Sequence, residues 1–127
     1  MLRLVFVIDA FVASAYGIAM LVAPSFMLQL YGIEGGTFLT GVLGAFVLGQ
    51  GPMQWWARDQ TASPAGLAIA RGHGIIDVVC TVACVAAIFT GAMNAVGWTV
   101  VVLFVAFGSV RVYSSFLKQP ALAPAVS

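Results

Sequence analysis

Six side chains stand out as able to do chemistry in an otherwise apolar chain: Asp9, Gln50, Gln54, His73, Asp77 and Arg111. His73 and Asp77 lie four residues apart, a spacing that on a helix sets a carboxylate beside an imidazole and suits proton transfer. On that reading they are candidate catalytic residues, with Arg111 steadying developing negative charge in an isomerisation or cyclisation. The alternative is a structural ion pair of Asp77 with Arg111 or Arg71, with His73 only hydrogen-bonded. Asp9 reads either as the proton-coupled carboxylate of a transporter or as the partner of a nearby cation. Gln50 and Gln54 flank Pro52, so they either line a ligand pocket or satisfy the backbone groups that a proline frees. Tyr16 and Phe104 are candidate walls for the same pocket, and Asp9, Gln50, Gln54 and Arg111 its polar ligand-binding groups. Cys80 and Cys84 project in parallel from one helix face, which suits packing better than a disulfide. One histidine and scattered acids make no metal set. Neither a nucleotide loop nor a nucleophile elbow nor a haem signature occurs, so no cofactor is expected.

The elements that hold these residues follow from composition. Of the 127 residues, 62% are hydrophobic and 7% charged, against roughly 25% charged in soluble domains, and the mean hydropathy is +1.09. Such a chain has too little polar surface to face water, and its net charge of +1 is far too small for nucleic-acid binding. Four apolar stretches approach the ~20 residues that cross a bilayer: Leu4–Ala23, Thr37–Ala57, Ala65–Thr90 and Ala95–Phe116. Residues 25–31 are apolar but too short to span and read as an interfacial turn or two; 119–127 read as a loose tail. Asp9 interrupts the first apolar run and argues that it is a retained helix rather than a cleaved signal. Ser63-Pro64 is a helix-start pair, Pro52 should kink the second span, and Trp55-Trp56 followed by Arg58 reads as a headgroup-depth anchor.

These spans predict an all-α integral membrane four-helix bundle forming a single domain. Arg3, Arg58, Arg71, Arg111 and Lys118 all fall toward one side of it, which by the positive-inside bias places both termini in the cytoplasm and the protein in the inner (plasma) membrane. At 100° per residue His73, Asp77, Cys80, Cys84, Ala87 and Gly91 form one stripe of the third span, opposite a lipid-facing stripe of Ile75, Val79, Val82, Ala86 and Phe89. Gly41, Gly44, Leu48 and Gly51 form a close-packing seam on the second span, as Ala13 and Gly17 do on the first. By depth, Asp9, Gln50, Gln54, Asp77 and Arg111 converge on one layer in the cytoplasmic leaflet. Ionisable groups at mid-bilayer cost roughly 2.5–3.5 kcal/mol each, so they should face one another.

Arg3 ahead of the first span, Pro24 followed by the segment Phe26 to Gly32, and the glycine-rich run from Gly41 to Gly51 resemble in layout the small DoxX-like membrane proteins of bacteria. The resemblance implies a four-helix membrane protein that acts with an oxidoreductase or another partner, and it transfers no catalytic residue. From the residues themselves, three functions compete. The first is binding or processing of a lipophilic small molecule, such as a quinone, isoprenoid or sterol-like compound, at the polar layer. The second is an accessory or assembly subunit of a larger membrane complex. The third is a proton-coupled transporter working as a homo-oligomer.

Overall fold

The computed structural model describes residues 1–118 and is all-helical over them; the expected tail at 119–127 lies outside the described residues. Five α-helices follow one another: α1 (Leu2–Val22), α2 (Pro24–Tyr31), α3 (Thr37–Ala57), α4 (Pro64–Phe89) and α5 (Gly97–Val112), the last running on into π-helical turns over Tyr113–Leu117. Proline and glycine set the boundaries. Pro24 bars Ala23 from helical torsions (φ −135°, ψ 57°) and itself opens α2 at its first turn. Gly32 closes α2 in the left-handed region at φ 67°, where a Cβ would be strained. Ser63 caps α4 as its sequence predicts, accepting the Gly66 N–H at 3.0 Å, with Pro64 in the first turn. The segment expected as a turn or two is thus the two-turn helix α2.

Three helical segments are long and apolar enough to cross a membrane: Leu2–Val22, Pro64–Phe89 and Gly97–Leu117. The fourth expected span, α3, has comparable length at 21 residues. It falls short in apolarity because Gln50, Pro52 and Gln54 interrupt its last third. Pro52 does not end α3, which continues to Ala57.

The long helices associate as two antiparallel pairs, α1 with α3 and α4 with α5. Small residues set both crossings, as expected where helices lack a hydrophobic drive to associate. A Cβ at Gly17 would lie 2.6 Å from Leu48 Cα, one at Gly44 2.8 Å from Met20 Cβ, and one at Gly51 2.9 Å from the Ala10 carbonyl. In the second pair a Cβ at Gly108 would lie 2.9 Å from Asp77 Cβ. Gly41 departs from the expected seam: nothing approaches within 4 Å of its Cβ position. Ile75, Val79, Val82, Ala86 and Phe89 are all exposed, while His73 and Asp77 opposite them are buried.

The two pairs meet at both ends. At the end holding the chain's N-terminus, Leu2 and Phe6 of α1, Ala57 of α3 and Ala70 of α4 form an apolar cluster, and Asp59 in the α3–α4 loop bonds Arg3 at 2.9 Å. At the opposite end α2 bridges the pairs. The Tyr31 hydroxyl lies 2.8 Å from that of Tyr16 on α1, and the Tyr31 and Leu30 carbonyls accept from Asn94, just ahead of α5, at 2.8 and 3.0 Å.

Because Gly17 faces backbone, which cannot move aside, Gly17→Ala is expected to destabilise by about 1–3 kcal/mol. Gly49→Ala, at a site with nothing within 4 Å, should be neutral or slightly stabilising. Thermal melting of both variants in one detergent checks the pair.

Candidate functional site: a buried four-helix polar layer

Arg111 organises the layer. It sits in the last turn of α5, fully buried, and its guanidinium reaches three helices. Nη1 donates to Asp77 Oδ2 on α4 at 2.5 Å; Nη2 donates to Gln54 Oε1 on α3 at 2.5 Å and to Asp9 Oδ2 on α1. The side chains of Asp77 and Asp9 are 6% and 13% exposed. A planar fork of donors suits this task, since one cation can serve separate acceptors at once. The small residues described above make the reach possible. Gly108 stands one turn before Arg111 and lets α5 close on α4 at Asp77, while Gly51 stands one turn before Gln54 and lets α3 close on α1 near Asp9.

Groups around the layer hold it in place. The Ser115 hydroxyl donates to the Arg111 carbonyl at 2.6 Å, and the Ser115 carbonyl accepts from Arg71 Nε and Nη2 at 3.1 and 3.0 Å. Thr81 donates to the Asp77 carbonyl at 2.7 Å. The Phe107 ring flanks the Arg111 guanidinium at 5.7 Å, within cation–π range.

The structure sorts the candidates from the sequence. Asp9, Gln54, Asp77 and Arg111 come together in one hydrogen-bonded layer. Of the two readings of Asp77 the geometry has the ion pair and not the pair with His73: the His73 Nδ1 donates to the Ile69 carbonyl at 3.0 Å, and the Asp77 carboxylate is taken by Arg111. In a buried setting the charge-assisted bond outcompetes a neutral one. The geometry therefore holds an ion-pair layer and not an imidazole–carboxylate dyad. Gln50, one turn from Gln54, is half-buried and makes no bond to the layer. Neither glutamine serves the carbonyl that Pro52 frees, since Gln54 Oε1 goes to Arg111 and Gln54 Nε2 has no partner. Tyr16 and Phe104 make no bond to the layer. Each shares a face with a member of the layer but stands seven residues from it, about 10 Å along the axis, and Tyr16 is bonded to Tyr31 instead. Sequence reasoning aligns Ser115 with Arg111 on one stripe of the last span but passes over Phe107, although it too stands four residues from Arg111, the spacing that signals contact on a helix.

Among the described residues three buried side-chain polar atoms are without a partner: Gln54 Nε2, His73 Nε2 and Arg111 Nε. An open groove lies elsewhere, on the outer side of α1 and α3. It measures about 390 Å³, and Phe11, Trp55, Trp56, Ala10 and Gly51 are among the residues that line it.

Arg111→Met leaves two buried carboxylates without their cation and is expected to cost about 3–5 kcal/mol. Arg111→Lys should fail to restore it, because one ammonium lacks the fork. Adding Asp9→Asn and Asp77→Asn to Arg111→Met should regain most of the loss, read as melting temperature in a common detergent. Compared with protein-family models, curated proteins and solved structures, the chain matches none, so the chemistry of the layer and the surface of the helices carry the functional reading.

Proposed function

We propose that the chain is a multi-pass inner-membrane protein with four spans, α3 included, both ends in the cytoplasm, and that it serves as an accessory subunit docked through α3 on another membrane helix. The observation that carries this reading is an outward stripe of small residues. Gly41, Ala45 and Gly49 repeat every four residues on α3; Ala45 and Gly49 are exposed, and among the described residues no neighbouring element comes within 4 Å of a Cβ at either glycine. In lipid, small residues at this spacing are how helices approach closely. The polar layer supports the same reading, because its acids and its arginine are turned on one another. The orientation rests on the basic residues: Arg3 and Arg58 meet Asp59 at 2.9 and 3.3 Å, and Arg71 lies beside Ser115 at the same end. The layout likeness to DoxX-like proteins adds the expectation that the partner is an oxidoreductase.

A second reading is favoured by the groove of Phe11, Trp55 and Trp56. Its size falls in the range of small-molecule sites, roughly 300–1,000 Å³, and it suits the ring of a quinone, isoprenoid or sterol-like lipid in the plane of the membrane. That moves the lipophile from the polar layer to the α1–α3 flank.

Native gels of solubilised membranes should show the chain in an assembly larger than itself, reduced to the lone chain by Ala45→Leu while the melting temperature holds. A wild-type chain that already runs alone would overturn the subunit reading. Mass spectrometry of the same material tests the second reading: a lipophile retained by the wild type should be lost in Trp56→Ala. Reporter fusions at the two ends should both report cytoplasm.

A further inference from the structure

The buried layer does not balance its own charge. Asp9 and Asp77 bring two carboxylates to one guanidinium, and none of the three side chains is more than 13% exposed. From α3 only the neutral Gln54 joins them. The next cation on α4, Arg71, is partly exposed, gives its contacts to the Ser115 carbonyl, and lies against the Phe116 ring at 5.4 Å. Fully ionised, the layer therefore carries one excess negative charge on side chains largely shielded from solvent, an arrangement that is unfavourable unless it is neutralised.

A base stands beside it. His73 is 5% exposed. Its Nδ1 meets a backbone carbonyl, which can only accept, so in the neutral ring Nδ1 carries the proton and Nε2 the lone pair. That Nε2 is buried and has no partner among the described residues, and the ring stands one turn of α4 before Asp77, on the same face.

We propose that Asp9, Asp77, Arg111 and His73 form a binding site for one exchangeable proton, held at neutral pH on a carboxylate oxygen or on the His73 Nε2 lone pair. The proton comes from water and returns to it, no electrons move, and its binding takes the layer from one net negative charge to none. The site belongs to the isolated chain and needs no docking partner, so it stands or falls apart from the subunit reading.

The composition makes the test direct. His73 is the sole histidine, and of the four acids Glu34 and Asp59 are exposed, so a protonated side-chain carboxyl at neutral pH belongs to Asp9 or Asp77. The full chain, free of any tag, is placed in phosphatidylcholine vesicles at neutral pH. Nitrogen resonances of labelled histidine and the infrared carboxyl stretch are then recorded in H₂O and D₂O. The expected result is an imidazolium pattern or a protonated-carboxyl band that shifts in D₂O and is lost in both Asp9→Asn and Asp77→Asn, each of which balances the layer without a proton. A neutral ring together with two ionised carboxylates in the wild type would overturn the proposal, as would a signal that survives in both variants. The wild-type spectra decide the matter even where a variant fails to fold.

Discussion

A guanidinium that has left water must find its hydrogen-bond partners within the protein, and this constraint organises the whole molecule. Arg111 reaches partners on three other helices, so the position of each helix is tied to a single group. The free energy of the ion pairs is not the main point. Desolvation offsets much of the attraction between buried charges, and apolar replacements are often equally stable. What the layer supplies is a unique arrangement: a slip of any one helix by a turn would leave a carboxylate or the guanidinium unpartnered. Small residues at Gly108 and Gly51 are the geometric condition for it, since a side chain at either would hold the helices too far apart for Arg111 to bridge them.

The two ends of the molecule are closed by different means. Around Arg111 the closure is charged and deep, with the apolar cluster of Leu2, Phe6, Ala57 and Ala70 beside it. At the far end it is neutral and local, made by Tyr16, Tyr31 and Asn94 through α2. Burial follows the same gradient along α4, where the buried residues run from Gly66 to Asp77 and stop. Beyond that point Cys80 and Cys84 are only half-buried, so the stripe that is polar and enclosed at one end becomes small and loosely covered at the other.

Much of this was legible in the sequence because an apolar solvent makes polar residues conspicuous. Asp9, Gln54, Asp77 and Arg111 stand out from apolar runs, and counting turns from the ends of those runs brings them to one height. The outward face of α4 was legible for a related reason: branched and aromatic residues repeat with the helical period opposite the small ones. Pairing within the layer was legible only as alternatives. Local spacing offers His73 to Asp77, four residues apart, and the scarcity of cations offers Arg111 or Arg71 instead; the observed bonds of Asp77 and Asp9 to Arg111 span 34 and 102 residues, a separation that no local spacing specifies. Tyr16 and Phe104 show a second limit. Helical periodicity gives the correct face at every second turn, but the height at which that face meets a neighbour depends on where the helices cross.

Gly41 shows the same limit in a more informative way. By spacing it belongs with Gly44 and Gly51, yet those two are buried in the α1 contact and Gly41 is not. Two small-residue stripes therefore overlap on α3, one facing α1 and one, through Ala45 and Gly49, facing away. A helix packed on one side by small residues gains nothing for its own fold from a second such stripe in the open, because in lipid a bare glycine neither buries apolar area nor improves packing, and glycine within a helix costs up to about 1 kcal/mol relative to alanine. The outward glycines are thus a local expense to this chain, which a contact of the proposed kind would offset.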